Sequence, residues 1–447
     1  MSDTDPQLLQ ALLDAARKAG ADRADAIAVS STAIGASCRK GVPEDLEHSE
    51  TTNIGLRVFV GQCSATISAT ELDPARFAAL AGQALAMARV LPPDPHIGLG
   101  DPATQGVYDS ALLDMADPTP APALAALVER ARETEEIALA VAGVTNSNGA
   151  SASYGRTHIA LADSNGFAAD YARTGHSTGV SVLAGTGADM QRDYAGHSAV
   201  FLSDLEAATK LGREAGERAV RRLNPIKPRT GTMPVIYDRR VSGSLIGHLA
   251  GAANGSAIAR GTSFFSSKHG ERILPAGLAL IDDPTRHRGL RSRPFDAEGF
   301  RAAPLSIVED GILKDWLLDT RTARQLGLAS NGRAQRSVGS PPSPGASNLY
   351  LAGGTHSVAS LMGDIKEGLW IEDLMGSSIN GLTGDYSRGA GGFMIRDGML
   401  AEPIAELTIA GNLIEMFLRM QVADDLEFRR GTDAPSIRID AMRVAGA

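Results

Sequence analysis

Aromatic side chains make up only 4% of this 447-residue chain, and it holds just two cysteines. So few rings exclude a surface whose main work is stacking nucleic-acid bases. Cys38 and Cys63 fit neither a C-x-x-C motif nor zinc-finger spacing. A disulfide between them is possible by count, but two buried free thiols are the simpler expectation. Positive charge is also short, with 43 Lys and Arg against 52 Asp and Glu, for a net charge of −9 and a pI near 5.5. Without a basic stripe, nucleic acid is not an expected partner. No apolar run approaches the ~20 residues that a membrane span needs. The opening Met-Ser-Asp-Thr-Asp-Pro has neither the cationic segment nor the apolar stretch of a signal peptide. These absences predict a soluble, cytoplasmic protein with no membrane contact.

What is present suits packed cores: 43% hydrophobic residues, with 49 glycines to make turns and close backbone approaches. The length is about two to three ordinary domains. Residues Pro6 to Gly20 read as an amphipathic helix and Ala26 to Val29 as a strand. The run from Asn53 to Ile67 reads as a hairpin turning at Gly61-Gln62. Asp73-Pro74 is a cap followed by proline at the first helical position, opening a helix with Phe77, Leu80, Ala81, Ala84 and Leu85 on one face. A further helix spans about Pro122 to Ala138.

Asn146 to Gly149 and Asp163 to Gly166 read as two similar turns between strands. Ser203 and Glu206 have the spacing of a capping box, so a helix is expected from Ser203 to about Arg222. Beyond the Pro-rich linker Asn224 to Gly231, strand Met233 to Tyr237 leads into a helix starting at Asp238. Ser337 to Ser347 reads as an irregular loop, Val358 to Glu367 as a helix, and Ile404 to Ile409 and Leu413 to Met420 as strands. Helices and strands come in runs without steady alternation, which predicts an α+β fold with mixed or antiparallel sheets and flanking helices. Two domains are expected. Residues 1–225 form the first, in sub-segments of about 1–95 and 110–225, and residues 228–447 form a β-rich second.

Chemistry is hard to find. A zinc peptidase helix needs two converging histidines and a glutamate to activate water. After Asp238 the helix offers Gly243, Ser244 and a single His248. There is no G-x-S-x-G elbow around a serine, and Gly384 to Gly392 lacks the Gly-Lys-Ser/Thr of a phosphate loop. Asp163 to Gly166 lacks EF-hand spacing and reads as a turn.

Several motifs in order carry a family resemblance. They are Ile54-Gly-Leu-Arg-Val58, Asp163-Ser-Asn-Gly166, Asn348-Leu-Tyr-Leu-Ala-Gly-Gly354, Ile365-Lys-Glu-Gly-Leu369, Gly384-Asp-Tyr-Ser-Arg388, Arg396-Asp-Gly398 and Ile409-Ala-Gly-Asn-Leu413. Over essentially its whole length the chain resembles the TldD/PmbA (TldE) metallopeptidase family. In that family the TldD type carries an H-E-x-x-x-H helix and a cysteine near the C-terminus, and the PmbA/TldE type lacks them. Here Gly243 stands at the first histidine, Ser244 at the glutamate and His248 at the second histidine, and Asp425 to Pro435 holds no cysteine.

The resemblance therefore implies a PmbA/TldE-type chain with the two-domain PmbA/TldD-like fold. It implies no catalytic residue and no metal in this chain, with zinc belonging to a TldD-type partner. Together they would enclose a channel in which unfolded peptides are cleaved, this chain forming wall and substrate grip. His248, Asn348, His356, Tyr386, Arg388 and Asn412 are the candidate channel or substrate contacts. Two other readings stand beside it: a homodimeric peptide-binding protein without a catalytic partner, and a hydrolase with an unrelated site around His248 and His356.

Overall fold

Long alternating strands build the first half of the chain, which the computed structural model describes over residues 6–70, as it does 73–446. The acidic N-terminal residues before Pro6 lie outside the described residues. Strands β1 (Arg23–Arg39), β2 (Val42–Val60), β3 (Cys63–Ala69), β4 (Val144–Asp163), β5 (Ala168–Ala184) and β6 (Gln191–Ala199) form one antiparallel sheet, ordered β3-β2-β1-β4-β5-β6. From Thr174 to Ala184, β5 buries every second residue, the period expected when one face meets a core.

Two helix pairs cover the buried face. Pro6–Ala19 and Phe77–Val90 bring Leu9, Leu12, Leu13, Phe77 and Leu85 onto one end. Leu124–Leu139 and Ala208–Arg221 bring Leu127, Ala131, Leu211 and Ala215 onto the other. Leu9, Leu12, Leu13 and Ala16 follow the i, i+3, i+4, i+7 spacing of one helical stripe, so burial rather than propensity places that helix.

The hairpin at Gly61-Gln62 and the turn at Asp163–Gly166 form as expected, the latter with Asp163 Oδ1 accepting from the Asn165 and Phe167 amides. Asn146–Gly149 makes no turn. It lies inside β4 as two bulges, and Gly149, at φ +103°, supplies the left-handed residue that absorbs the extra length. The capping box also fails. Ser203 sits in a short turn with its hydroxyl on Asp204, and Glu206 gives its carboxylate to Lys210 and Arg429. The helix starts later, at Ala208, with no side-chain cap.

In the second half, Gly231–Tyr237, Glu367–Ile379, Asp385–Arg396, Met399–Asn412 and Ile437–Ala445 form a mixed sheet. Thr408–Ala410 pairs with Arg443–Ala445, so Met399–Asn412 meets Ile437–Ala445 and the sheet closes into a small barrel without free edges there. A second sheet joins Ala279–Asp282, Leu305–Glu309, Ile312–Leu313, Leu349–Ala352 and Thr432–Asp433. Helix Arg239–Ala252 lies between the two. Its Leu245, Ile246 and Leu249 share one core with Val235, Leu369 and Ile439 of the barrel and Leu280, Val308 and Leu351 of the sheet.

Leu413–Arg419 is a helix, not the expected strand. Asn412 caps it by accepting from the Ile414 amide, and Leu413, Met416 and Phe417 bury at helical spacing. The helix from Val358 ends already at Met362, and Glu367 opens a strand. Cys38 is buried, Cys63 only half-buried, and both are free thiols. The architecture is α+β with mixed and antiparallel sheets, as the sequence predicts. Among the described residues, no helix is long and apolar enough to cross a membrane.

Ion pairs bind the halves. Asp193 on β6 receives Arg240 at 2.6 Å and Arg222 at 2.7 Å. Burial would raise its carboxyl, but the two guanidiniums outweigh that and hold it below the usual range. Asp25 on β1 receives both Arg57 of β2 and Arg336 of the second half.

Candidate functional site

Strand Gly231–Tyr237 delivers the chain to Asp238, whose Oδ1 accepts from the Arg240 amide at 2.6 Å and caps the helix that follows. That helix buries Ser242, Leu245, Ile246, Leu249 and Ala250 along one side. At Gly243 it presses against the second sheet so closely that a Cβ atom would lie 2.6 Å from the Thr432 carbonyl oxygen. A histidine there needs the Thr432 segment to move. Ser244, next along, turns its hydroxyl back to the Val241 carbonyl at 2.6 Å.

His248 is half-buried, its ring edge-on to Tyr386 with centroids 6.1 Å apart. Its Nε2 is buried with no hydrogen-bond partner. Burial pushes the imidazole below its ordinary value and the Arg388 charge pushes it further, so the ring is neutral near pH 7. Beneath it, the Tyr237 hydroxyl donates to the Tyr386 oxygen at 3.3 Å and lies 3.4 Å from Met442 Sδ. Burial raises both phenols, so neither ionises at neutral pH. Arg388 sits two residues past Tyr386 on the same strand, and so on the same face. It is half-buried, and among the described residues it makes no ion pair and no hydrogen bond.

Thus the structure brings together His248, Tyr386 and Arg388. The other predicted contacts act elsewhere. Asn348 is buried and fully engaged, giving its amide to the Asp283 carbonyl and the Ser292 hydroxyl while accepting from the Arg291 amide. His356 is exposed and joins Ala423 through a main-chain bridge. Asn412 is one strand away from Tyr386 but spends its side chain on capping and on the Thr383 carbonyl.

The residues present do not fit a zinc ion. Among the described residues, no three His, Cys, Asp or Glu side chains are grouped to hold a metal. The carboxylates of the C-terminal stretch hold their own turns. Asp425 accepts from the Ser436 amide and hydroxyl, and Asp433 from the Arg429, Arg430 and Gly431 amides.

Two polar features escape sequence reasoning. One is a cleft of about 480 Å³ at the start of the helix, where Tyr194, Arg218, Arg240, Glu372 and Arg429 converge from separate segments. The Arg239-Arg240 and Arg429-Arg430 pairs are its one mark in the sequence. The other is a buried carboxylate group: Asp163 and Glu298 line a small cavity with the Asp25–Arg57 pair, and Asp296 lies close enough to Glu298 to raise its carboxyl. Its members lie far apart in the sequence, and single acidic residues carry no mark of burial.

Three segments match models of PmbA/TldA metallopeptidase domains: residues 24–88 the first domain, 117–223 the central domain and 230–446 the C-terminal domain. The chain is 33% identical to metalloprotease PmbA of Escherichia coli O157:H7 over 426 residues, covering 95% of this chain and 92% of that protein. A PmbA homologue of Haemophilus influenzae is 32% identical, with 98% and 96% covered. Among solved structures, a protein from Bacteroides thetaiotaomicron described as a candidate modulator of DNA gyrase superposes with a TM-score of 0.89 at 25% identity, covering 99% and 98% of the two chains. TldE from Thermococcus kodakarensis shares the fold, with a TM-score of 0.86 at 19% identity over 98% and 100%. The chain belongs to the PmbA/TldD/TldE metalloprotease family.

Proposed function

We propose that this chain is the zinc-free subunit of a TldD/TldE-type metallopeptidase. It forms channel wall and grip for an unfolded peptide, and cleavage takes place at zinc held by a TldD-type partner. One observation carries the reading: the first-ligand position is Gly243, packed so tightly on Thr432 that its place is taken by backbone. Ser244 and the cysteine-free C-terminal stretch agree with it, since a lone imidazole cannot hold a catalytic zinc. The net charge of −9 favours a peptide over nucleic acid as ligand.

The test is metal content and cleavage of an unfolded peptide by the purified chain, alone and mixed with a TldD-type protein. Zinc and activity are expected only with the partner present. Stoichiometric zinc plus cleavage by the lone chain refutes the proposal. Peptide binding by a self-associated chain that ignores TldD-type proteins supports the homodimeric reading instead.

A further inference from the structure

A guanidinium taken partly out of water is stabilised by a carboxylate or by several carbonyls, and Arg388 has neither among the described residues. Among the described residues no carboxylate lies within ion-pair distance of it. The charged group that acts on His248 is Arg388 itself, and Tyr237 and Tyr386 are neutral phenols. The seat therefore carries one unmatched positive charge above an aromatic floor. His248 lies beside it, half-exposed, with its Nε2 unpaired. Both Arg388 and His248 are open enough to be reached from outside.

We infer that Arg388, with His248 and Tyr386, forms a seat for the C-terminal carboxylate of a bound peptide. Two considerations select this chemistry. A planar guanidinium matches a carboxylate through two parallel N–H···O bonds. One net positive charge also matches a monoanion, where a phosphate dianion would call for further cations. This assignment rests on the peptide-gripping function proposed above. It fixes one end of the peptide and so its direction in the channel.

The test uses the full chain, alone and with a TldD-type protein, and fluorescence anisotropy of an N-terminally labelled eight-residue Gly/Ser/Leu peptide. Three forms are compared: free acid, C-terminal amide, and amide with one internal Glu. The free acid is expected to bind about tenfold more tightly than the plain amide. Arg388→Met should bring the acid down to the level of the amide while leaving the amide unchanged, and Arg388→Lys should fall between. Equal binding of acid and amide to the unsubstituted chain overturns the seat but leaves the grip standing. So does equal weakening of both by Arg388→Met, the mark of a merely structural role. Recovery of tight binding by the internal Glu overturns the C-terminal assignment, because the seat then reads a side chain. Failure of all three peptides to bind, alone and in the mixture, overturns grip and seat together.

Discussion

Replacing Glu298 by Gln should flatten the pH dependence of stability. Glu298 is 7% exposed, and its Oε2 accepts from the Thr320 amide at 2.8 Å and the Thr320 hydroxyl at 2.7 Å. Burial pushes its carboxyl up from 4.5, Asp296 and Asp319 add to the rise, and Arg57 and the Thr320 hydrogen bond oppose it, leaving it at about 8. In the unfolded chain the group titrates near its ordinary value. Between those two values the folded protein holds a proton that the unfolded chain has lost, so stability is full in acid and declines as pH rises. For one group the slope is about 1.4 kcal/mol per pH unit, and the whole interval amounts to roughly 5 kcal/mol. Glutamine keeps an oxygen for Thr320 and a neutral amide in place of the protonated carboxyl, but it cannot titrate. Urea unfolding at pH 5.5, 6.5, 7.5 and 8.5 measures the effect. Glu298→Gln should exceed the unsubstituted chain by about 1–1.5 kcal/mol at pH 5.5 and by about 4–5 kcal/mol at pH 8.5. Asp163 and Asp296 are also raised by burial and keep some slope in both proteins, so the difference between the two curves is diagnostic. Parallel curves would refute the reasoning.

Gly243→Ala should lower stability by about 1–3 kcal/mol, seen as a drop in melting temperature, because its Cβ meets the Thr432 carbonyl. An unchanged melting temperature would show that the helix and the second sheet are less tightly joined. Asp25→Asn leaves Arg57 and Arg336 sharing a neutral amide in a buried site, and urea unfolding should register a loss of about 3–5 kcal/mol. Asn412→Ala removes the cap of Leu413–Arg419 and should cost about 1 kcal/mol in the same assay, with fraying of that helix visible in hydrogen exchange.

Local chemistry made much of the fold legible. Asp73 accepts from the Ala75 amide ahead of Pro74, as the sequence signature requires, and the Gly61-Gln62 hairpin and the Asp163–Gly166 turn need only neighbouring residues. Misreadings arose where distant partners intervened. Glu206 had a local use as a capping residue but is claimed by Arg429, more than two hundred positions on. Leu413 to Met420 reads as a strand on its short apolar run, and the Asn412 cap and the barrel wall decide for helix. Asn348 looked like a site residue because of its motif, yet its amide stitches loops together.

By itself the sequence determined the α+β class and the family, and it holds no second histidine, glutamate or C-terminal cysteine where the resemblance puts the TldD-type zinc ligands. Those follow from residue identity and short-range spacing. Only the tertiary structure decided that Gly243 is sealed by the Thr432 carbonyl, that Arg388 lies close enough to His248 to act on its charge while making no ion pair among the described residues, and that Glu298 is buried among other carboxylates. These depend on desolvation and close approach between segments far apart in the chain, and such distances exist only once the sheet and the barrel have formed.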